Sequence, residues 1–575
     1  MFPHATIVEH REVHDQPANF TDLVSFMADL RAGESAGLLC QMNADFRLAK
    51  REPKAVANVQ QRMAGELLSD ETIRRLKERF GNAHMADRPI FHPAQLMNML
   101  RLVLEHCTGT RDPLSDDSAR YVLGDACLMM TDLMLSDDER RALKSKDPGR
   151  LARTLMVQMA GRFELDNPMP ISHVAYRSQI MFHELLAKPN IRERISGQCR
   201  GFDFEREFFR TTGVSLSHWV FLLLAFYAYL SHYTGPDGIR HPEYLAIDPV
   251  YFGKGTPIPQ AELEAVLRSV SSTKDEMRAA LKSYGLADWR IDSVPFRSRP
   301  LIELWPGKFF CSDLGLLVEK IHSGVFWAIH DGLTMPERYM LSIAWGILFE
   351  EYVNWFLNER RFNDFIFFAR PEWRDGGECF DGAFLRNSVF MPMEYKGGFL
   401  RRDARYSGNQ ILFEQDLESK FVKGCGQLAR NIQKLFNRRP GRKKTLQDYS
   451  LDHVTRVVPL LVVQDPILGG PLINWWLNQR FHQLLDKTAL RPGIEVDPLT
   501  VVGIREMETM AESAEAGTFE LFHGVQSRCH ADPEMRSNLH NFLLEMPGYG
   551  EGKSDRIQSA LNEQLGEVTR YLFAG

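Results

Sequence analysis

Apolar residues recur three and four positions apart through most of the first 295 residues. That spacing turns one face of an α-helix toward a core. "FTDLVSFMADLRAG" and "DETIRRLKERFG" carry the pattern and end at glycine, where a helix can stop. "PAQLMNMLRLVLEHC" and "QAELEAVLRSV" repeat it. "STKDEMRAALKSYG" adds a start signal, because Ser272 and Asp275 stand at the spacing of a reciprocal cap. The densest apolar run, "WVFLLLAFYAYL" from Trp219 to Leu230, is twelve residues long. A membrane-spanning helix needs about twenty, so this run predicts a buried core helix and no membrane partner.

Near residue 300 the pattern changes. "RPLIELWPGKFFCSDL" predicts two short strands around a Trp-Pro-Gly-Lys turn. "LGLLVEKIHSGVFWAIHDGL" and "ERYMLSIAWGILFEEYVNWFLNERR" predict helices. "DFIFFARPEW", "GGECFDGAFL" and "SVFMPMEYK" predict strands, the last two pairing with each other. After a long loop come a helix from Leu417 to Phe436, a strand in "VTRVVPLLVV", a helix in "LINWWLNQRFHQLL" and a strand in "LTVVGIREMETM". Strands alternating with helices argue for an α/β domain with a mixed sheet covered on both faces. The chain therefore reads as multidomain, as its 575 residues also suggest. Residues 1–295 form a mostly α-helical region, 296–335 a strand–turn–strand and helix connector, 336–515 the α/β domain, and 516–575 a helical tail packing on that domain.

Composition narrows the classes. Charged and hydrophobic contents of 25% and 44% are ordinary for a globular protein, and a net charge of −6 gives no whole-chain nucleic-acid signature. The eight cysteines form no Cys-x-x-Cys pair, and no histidine pair stands nearby at zinc-finger spacing. This predicts reduced thiols, a cytoplasmic protein and no structural zinc. The N-terminal "MFPHATIVEHREVHDQ" has no basic segment followed by an apolar one, so no signal peptide is expected. His84, His92 and His106 match no metal motif and read as structural. The helical half shows no catalytic constellation, and its expected role is recognition, sensing or binding of a protein partner.

The chemistry concentrates in "MEYKGGFL", Met393 to Leu400. Residues two apart in a strand share a face, so Glu394 and Lys396 stand side by side and Tyr395 points the other way. Three other Glu-x-Lys triplets occur, but Glu394-Tyr395-Lys396 alone ends an apolar strand and alone has a carboxylate, Asp381, on the strand before it. Hairpin pairing brings Asp381 and Glu394 to one end of the sheet. Two carboxylates there suit Mg²⁺ or Mn²⁺, hard cations that prefer oxygen, with the Tyr395 carbonyl completing the set. Lys396 is placed to orient a water and neutralise developing charge. Gly397 and Gly398 are read as keeping side chains out of the substrate's way.

With Asp381, Glu394 and Lys396 in place, the segment resembles the PD-(D/E)xK nuclease superfamily over roughly residues 340–510. The resemblance implies a first helix with an acidic residue, supplied here by Glu350 in "FEEYV", and a later helix with basic or glutamine residues, supplied by Lys420, Lys423 and Gln427. Phe380 stands where the family name has proline. It implies a restriction-endonuclease-like fold, a central mixed sheet flanked by helices, and Mg²⁺-dependent hydrolysis of phosphodiesters. DNA is favoured over RNA, in a setting such as bacterial antiviral defence or DNA processing.

Residues 396–444 hold thirteen Lys and Arg against four Asp and Glu. Arg401, Arg402, Lys420 and Lys423 are the expected phosphate contacts, and Phe399 and Tyr406 candidates for stacking on bases. Two other readings stay open: a nucleic-acid-binding scaffold without turnover, and a helical interaction protein in which the charge pattern is coincidental.

Overall fold

A computed structural model describes the chain except residues 1–6, 50–52, 85–87, 136–138, 142–143, 145–147, 167, 234–244, 284–289, 291, 374–376, 378, 439–444, 447–448, 552–554 and 574–575. The first half is helical, with a small sheet. β2 (Leu301–Trp305) and β3 (Lys308–Cys311) form the expected antiparallel pair. β1 (Ser271–Thr273) joins β2 in parallel. That pairing moves the expected helix cap by one residue. Ser271–Thr273 pair with β2, and Thr273, the last residue of the strand, exchanges the capping bonds with Glu276 at 2.9 and 3.2 Å.

The second sheet is mixed. β4 (Ile366–Ala369), β5 (Gly382–Arg386) and β6 (Val389–Lys396) run antiparallel in sequence order. A two-residue hairpin, β7 (Thr445–Leu446) and β8 (Tyr449–Ser450), lies apart. β9 (Arg456–Val457) and β10 (Leu460–Val463) follow one another along the free edge of β6, both parallel to it. The "VTRVVPLLVV" strand is thus broken at Val458-Pro459. β11 (Glu495–Val496) and β12 (Thr500–Gly503) pair in parallel with β9 and β10. The strand expected through Met510 stops at Gly503, and Ile504–Glu515 is helical. Ile504, Met507, Met510 and Ala511 explain this: they are buried at helical, not alternating, spacing.

Period-two alternation divides the sheet's side chains between two cores. Phe384, Met393, Tyr395 and Val462 face the helix Met335–Asn358, with its Trp345, Tyr352 and Phe356. Leu385, Phe390, Leu461 and Val463 face the helices Lys423–Leu435 and Pro471–Leu484. A third core gathers the helices before residue 135 with Phe296, Ile302 and Phe310.

The first of these cores does not stop at residue 295. Trp219, Phe226 and Val266, from the helices Leu216–Tyr233 and Gln260–Val270, belong to the same buried cluster as Tyr395 and Val462. Phe204 packs on Trp345 at 6.1 Å between ring centres. The tail is likewise shared. Phe522 packs on Phe365 beside β5, while the last helix, Asp555–Leu572, lies on Leu216–Tyr233 and Ile171–Ser178. "LGLLVEKIHSGVFWAIHDGL" folds as two helices, Leu314–Ile321 and Ser323–Asp331, bent at His322. The apolar Trp219–Leu230 run is core, and no single helix among the described residues is long and apolar enough to cross a membrane. All eight cysteines are unpaired and buried.

Candidate active site

The β5–β6 register puts Gly382 opposite Met393, so Asp381, one residue before β5, stands level with Glu394. Two bonds fix it. Its backbone N–H donates to the Met393 carbonyl at 3.1 Å, and its Oδ2 accepts from the Tyr395 N–H at 2.6 Å. Tyr395 thus meets Asp381 through its backbone, while its ring is buried against the helix Met335–Asn358 and its hydroxyl donates to Asn354 at 3.4 Å.

Glu394 and Lys396 project from the opposite face of β6. Lys396 Nζ donates to Glu394 Oε1 at 2.6 Å and to Gln427 Oε1 at 3.1 Å. The helix Lys423–Leu435 reaches this close because it passes the lysine with a glycine. A Cβ on Gly424 would lie 2.7 Å from Lys396 Cε and 3.5 Å from Glu394 Cγ. Gly397 has a different reason from the one expected. A Cβ there would lie 2.7 Å from Phe349 Cβ, so Gly397 admits the helix Met335–Asn358, while Gly398 is exposed with open space around it.

Electrostatics mark the place. Glu394 is only 3% exposed. Burial first, then Glu394 and Glu350, push the Asp381 carboxyl well above its ordinary range. Burial also raises Glu394, against the pull of Lys396 and Arg430. Burial and mutual repulsion thus both oppose ionising the two carboxylates together.

Glu350 acts on this cluster at a distance, and its carboxylate is already held. It accepts from Arg370 and, at 2.9 Å, from Arg194, while Glu351 pairs with the same two arginines at 2.5 and 2.7 Å. Among the described residues no three His, Cys, Asp or Glu side chains converge on a point that could hold a metal ion. The chain offers Asp381 and Glu394. Mg²⁺ is commonly bound through one or two carboxylates with water and substrate phosphate supplying the rest, and the donor set fits that habit.

The expected basic contacts divide. Arg401 lies 3.5 Å from both Asp403 and Asp416. Arg402 pairs with Asp331 at 2.8 Å and stacks on Trp327 at 4.3 Å. Lys420 donates to the Phe399 carbonyl at 2.7 Å and to Asp416 at 3.1 Å. Only Lys423 of the four is exposed without an acidic partner among the described residues. The regular three-residue spacing of Lys420 and Lys423 is also broken, because Glu418–Val422 is π-helical. Phe399 and Tyr406 are 8% and 4% exposed, so they are core residues and not a stacking surface. Arg439, Arg442, Lys443 and Lys444 lie outside the described residues.

Arg194 and Arg370 escaped the sequence reading, and Arg430 entered it only as one of thirteen basic residues. Arg430 had a signal, being three positions after Gln427 on the same helix. Arg194 had none, because it meets Glu350 from 156 positions away. No protein-family model, curated protein or solved structure matches the chain.

Proposed function

We propose that the chain is a metal-dependent nuclease with a restriction-endonuclease-like domain. It hydrolyses phosphodiester bonds of DNA, with RNA as the second substrate class, using Mg²⁺ or Mn²⁺. The observation that carries this reading is the joining of Asp381, Glu394, Lys396 and Gln427 at one end of β5 and β6. The sheet supports it: an antiparallel β4–β5–β6 meander extended by parallel β10 and β12.

Asp381 and Glu394 would hold the cation, which when bound acidifies a water and draws charge from the phosphate. Tyr395 N–H keeps Asp381 aimed from β5 toward β6. Lys396 supplies a fixed positive charge beside Glu394, where it can hold the attacking water and neutralise the phosphoryl oxygens. Gln427 holds the lysine's ammonium from the helix side. Lys423 and Arg430, exposed on that helix, present charge to the nucleic-acid backbone.

The test is a degradation assay with single- and double-stranded DNA and RNA in Mg²⁺, Mn²⁺ or chelator. Cleavage should require the cation and disappear in Asp381→Ala and in Glu394→Ala. Unchanged cleavage in either variant refutes the site. One observation favours the second reading, a scaffold that binds without turnover: Glu350 is already occupied by Arg194 and Arg370. Cation-dependent binding with no cleavage of any substrate would establish that reading instead.

A further inference from the structure

A cavity of about 80 Å³ lies where the helical half meets the α/β domain, and none of Asp381, Glu394, Lys396 or Gln427 lines it. Arg297, Lys320 and Trp327 come from one side, and Arg402, Arg405 and Tyr406 from the other. With Arg177 the wall holds five basic side chains. Four of them have carboxylate partners. Arg177 pairs with Glu508 at 3.0 Å, Arg297 with Glu319 at 2.7 Å, Arg402 with Asp331 at 2.8 Å and Arg405 with Asp465 at 3.1 Å.

Lys320 is the exception. Its ammonium has no hydrogen-bond acceptor among the described residues, and Asp331 and Glu319 act on it only at a distance. Burial, helped by Arg402, pushes it down to about 7. Its backbone is fixed, since Trp219 Nε1 donates to the Lys320 carbonyl at 2.9 Å. His322, also in the wall, is pushed well below its ordinary range by burial and by Arg177, so it adds no positive charge of its own. A lysine held among arginines keeps its charge only at a cost, which an anion in the cavity would offset. At about 10–15 Å³ for each water-sized sphere, the cavity holds roughly five to eight such spheres. A phosphoryl group is of that size.

We propose that this cavity binds a phosphoryl group, with Lys320 as the residue it neutralises and Arg297, Arg402 and Arg405 as the surrounding donors. The group could arrive on a small phosphorylated molecule or on the 5′ end of a nucleic-acid strand, and both present the same dianion. The cavity wall continues toward the nuclease-like cluster, because Gln464 N–H donates to the Lys396 carbonyl at 3.1 Å and the Gln464 side chain bonds His322 at 2.8 Å. The site does not depend on the nuclease reading.

The experiment is calorimetric titration of the full chain with inorganic phosphate and pyrophosphate, at matched ionic strength and without divalent cations. Wild type and Asp381→Ala should bind alike, and Lys320→Met should weaken binding at least tenfold. Arg402→Gln, at the rim, should weaken it several-fold and covers the case in which Lys320→Met does not fold. Competition by a 5′-phosphorylated but not a 5′-hydroxyl oligonucleotide identifies the strand end as the source. Binding of free phosphate without that competition identifies a small molecule. No saturable binding by wild type, or equal binding by wild type and both basic-residue variants, overturns the proposal.

Discussion

Gly424→Ala tests whether the helix Lys423–Leu435 sets the position of Lys396, and it does so without removing any charged group. The new methyl would lie 2.7 Å from Lys396 Cε and 3.2 Å from Leu461 Cδ1. Carbon atoms at ease stand about 3.5–4.0 Å apart. Cε must therefore retreat by roughly 0.8 Å or more, and Nζ, one bond further on, is drawn off its contacts with Glu394 and Gln427. The fold has reasons to survive. Alanine inside a helix gains about 1 kcal/mol over glycine, and overpacking costs about 1–3 kcal/mol, with the flexible lysine stem yielding first. Net destabilisation should stay under about 2 kcal/mol. A misplacement near 1 Å in a catalytic group can cost about a hundredfold in rate, so kcat should fall on that order. Gly346→Ala is the control. It lies on the helix of Glu350 with open space at its Cβ position, so it should gain up to about 1 kcal/mol and leave turnover unchanged. The assay is steady-state cleavage in Mn²⁺ beside denaturant unfolding of each variant. Full turnover by a folded Gly424→Ala protein would refute the reasoning, because Lys396 would then tolerate displacement from both partners.

Lys420→Ala should lower stability and leave the salt dependence of nucleic-acid binding unchanged, because its ammonium is engaged by Asp416 and the Phe399 carbonyl. Lys423→Ala should instead reduce the slope of log affinity against log salt by about 0.9, measured in Ca²⁺; the opposite pattern would reverse the two roles. A fragment from residue 300 to 575 should be insoluble, since it loses Phe204 from Trp345 and Tyr176 from Phe356. A soluble fragment with cooperative unfolding would contradict the shared core. Burial alone would raise Glu508, but Arg177 at 3.0 Å and His173 at 2.6 Å outweigh it and bring the carboxyl down to about 2. A carboxyl depressed on folding stabilises the protein above its unfolded value and loses that contribution as pH falls toward its folded one. Glu508→Gln should therefore cost about 3–5 kcal/mol at pH 7, and the gap to wild type should narrow below about pH 4.5. A gap that stays constant in urea unfolding across that range would show that the charge is not the cause.

The β5–β6 pair was legible because strand alternation is local. The apolar residues that fix the faces and the Asp381, Glu394 and Lys396 side chains all lie within sixteen consecutive positions. Gln427 came only with the resemblance, because strand alternation says nothing about which residue of a later helix meets Lys396. Ile504–Glu515 was misread because "LTVVG" is extended and the apolar pattern continues past it, changing only in period. Within residues 171–270, Trp219–Leu230 and "QAELEAVLRSV" were legible as helices, but periodicity says that a face is buried and not what buries it. Leu216–Tyr233 is apolar enough to pack on several elements at once, and it joins the core of the α/β domain.

Charge was the least legible property, because composition counts cations and structure pairs them. Arg401, Arg402, Arg405 and Lys420 entered the sequence count as free charge, and each faces Asp403, Asp416, Asp331 or Asp465. Asp331 and Asp465 lie outside the 396–444 window, so no count over that window could have balanced them. Lys434 is also engaged, stacked on Trp373 at 4.1 Å. Beside Glu394 the described residues leave Lys423 and Arg430 exposed. Each phosphate neutralised contributes about 0.9 to the salt slope on duplex DNA. Binding through this surface should then show a slope near −2, far shallower than a local excess of nine positive charges suggests. Weak electrostatic attraction suits a site whose substrate is positioned by the reacting cluster itself. On the proposed nuclease reading, a cation held by Asp381 and Glu394 would supply the largest positive charge the phosphate meets.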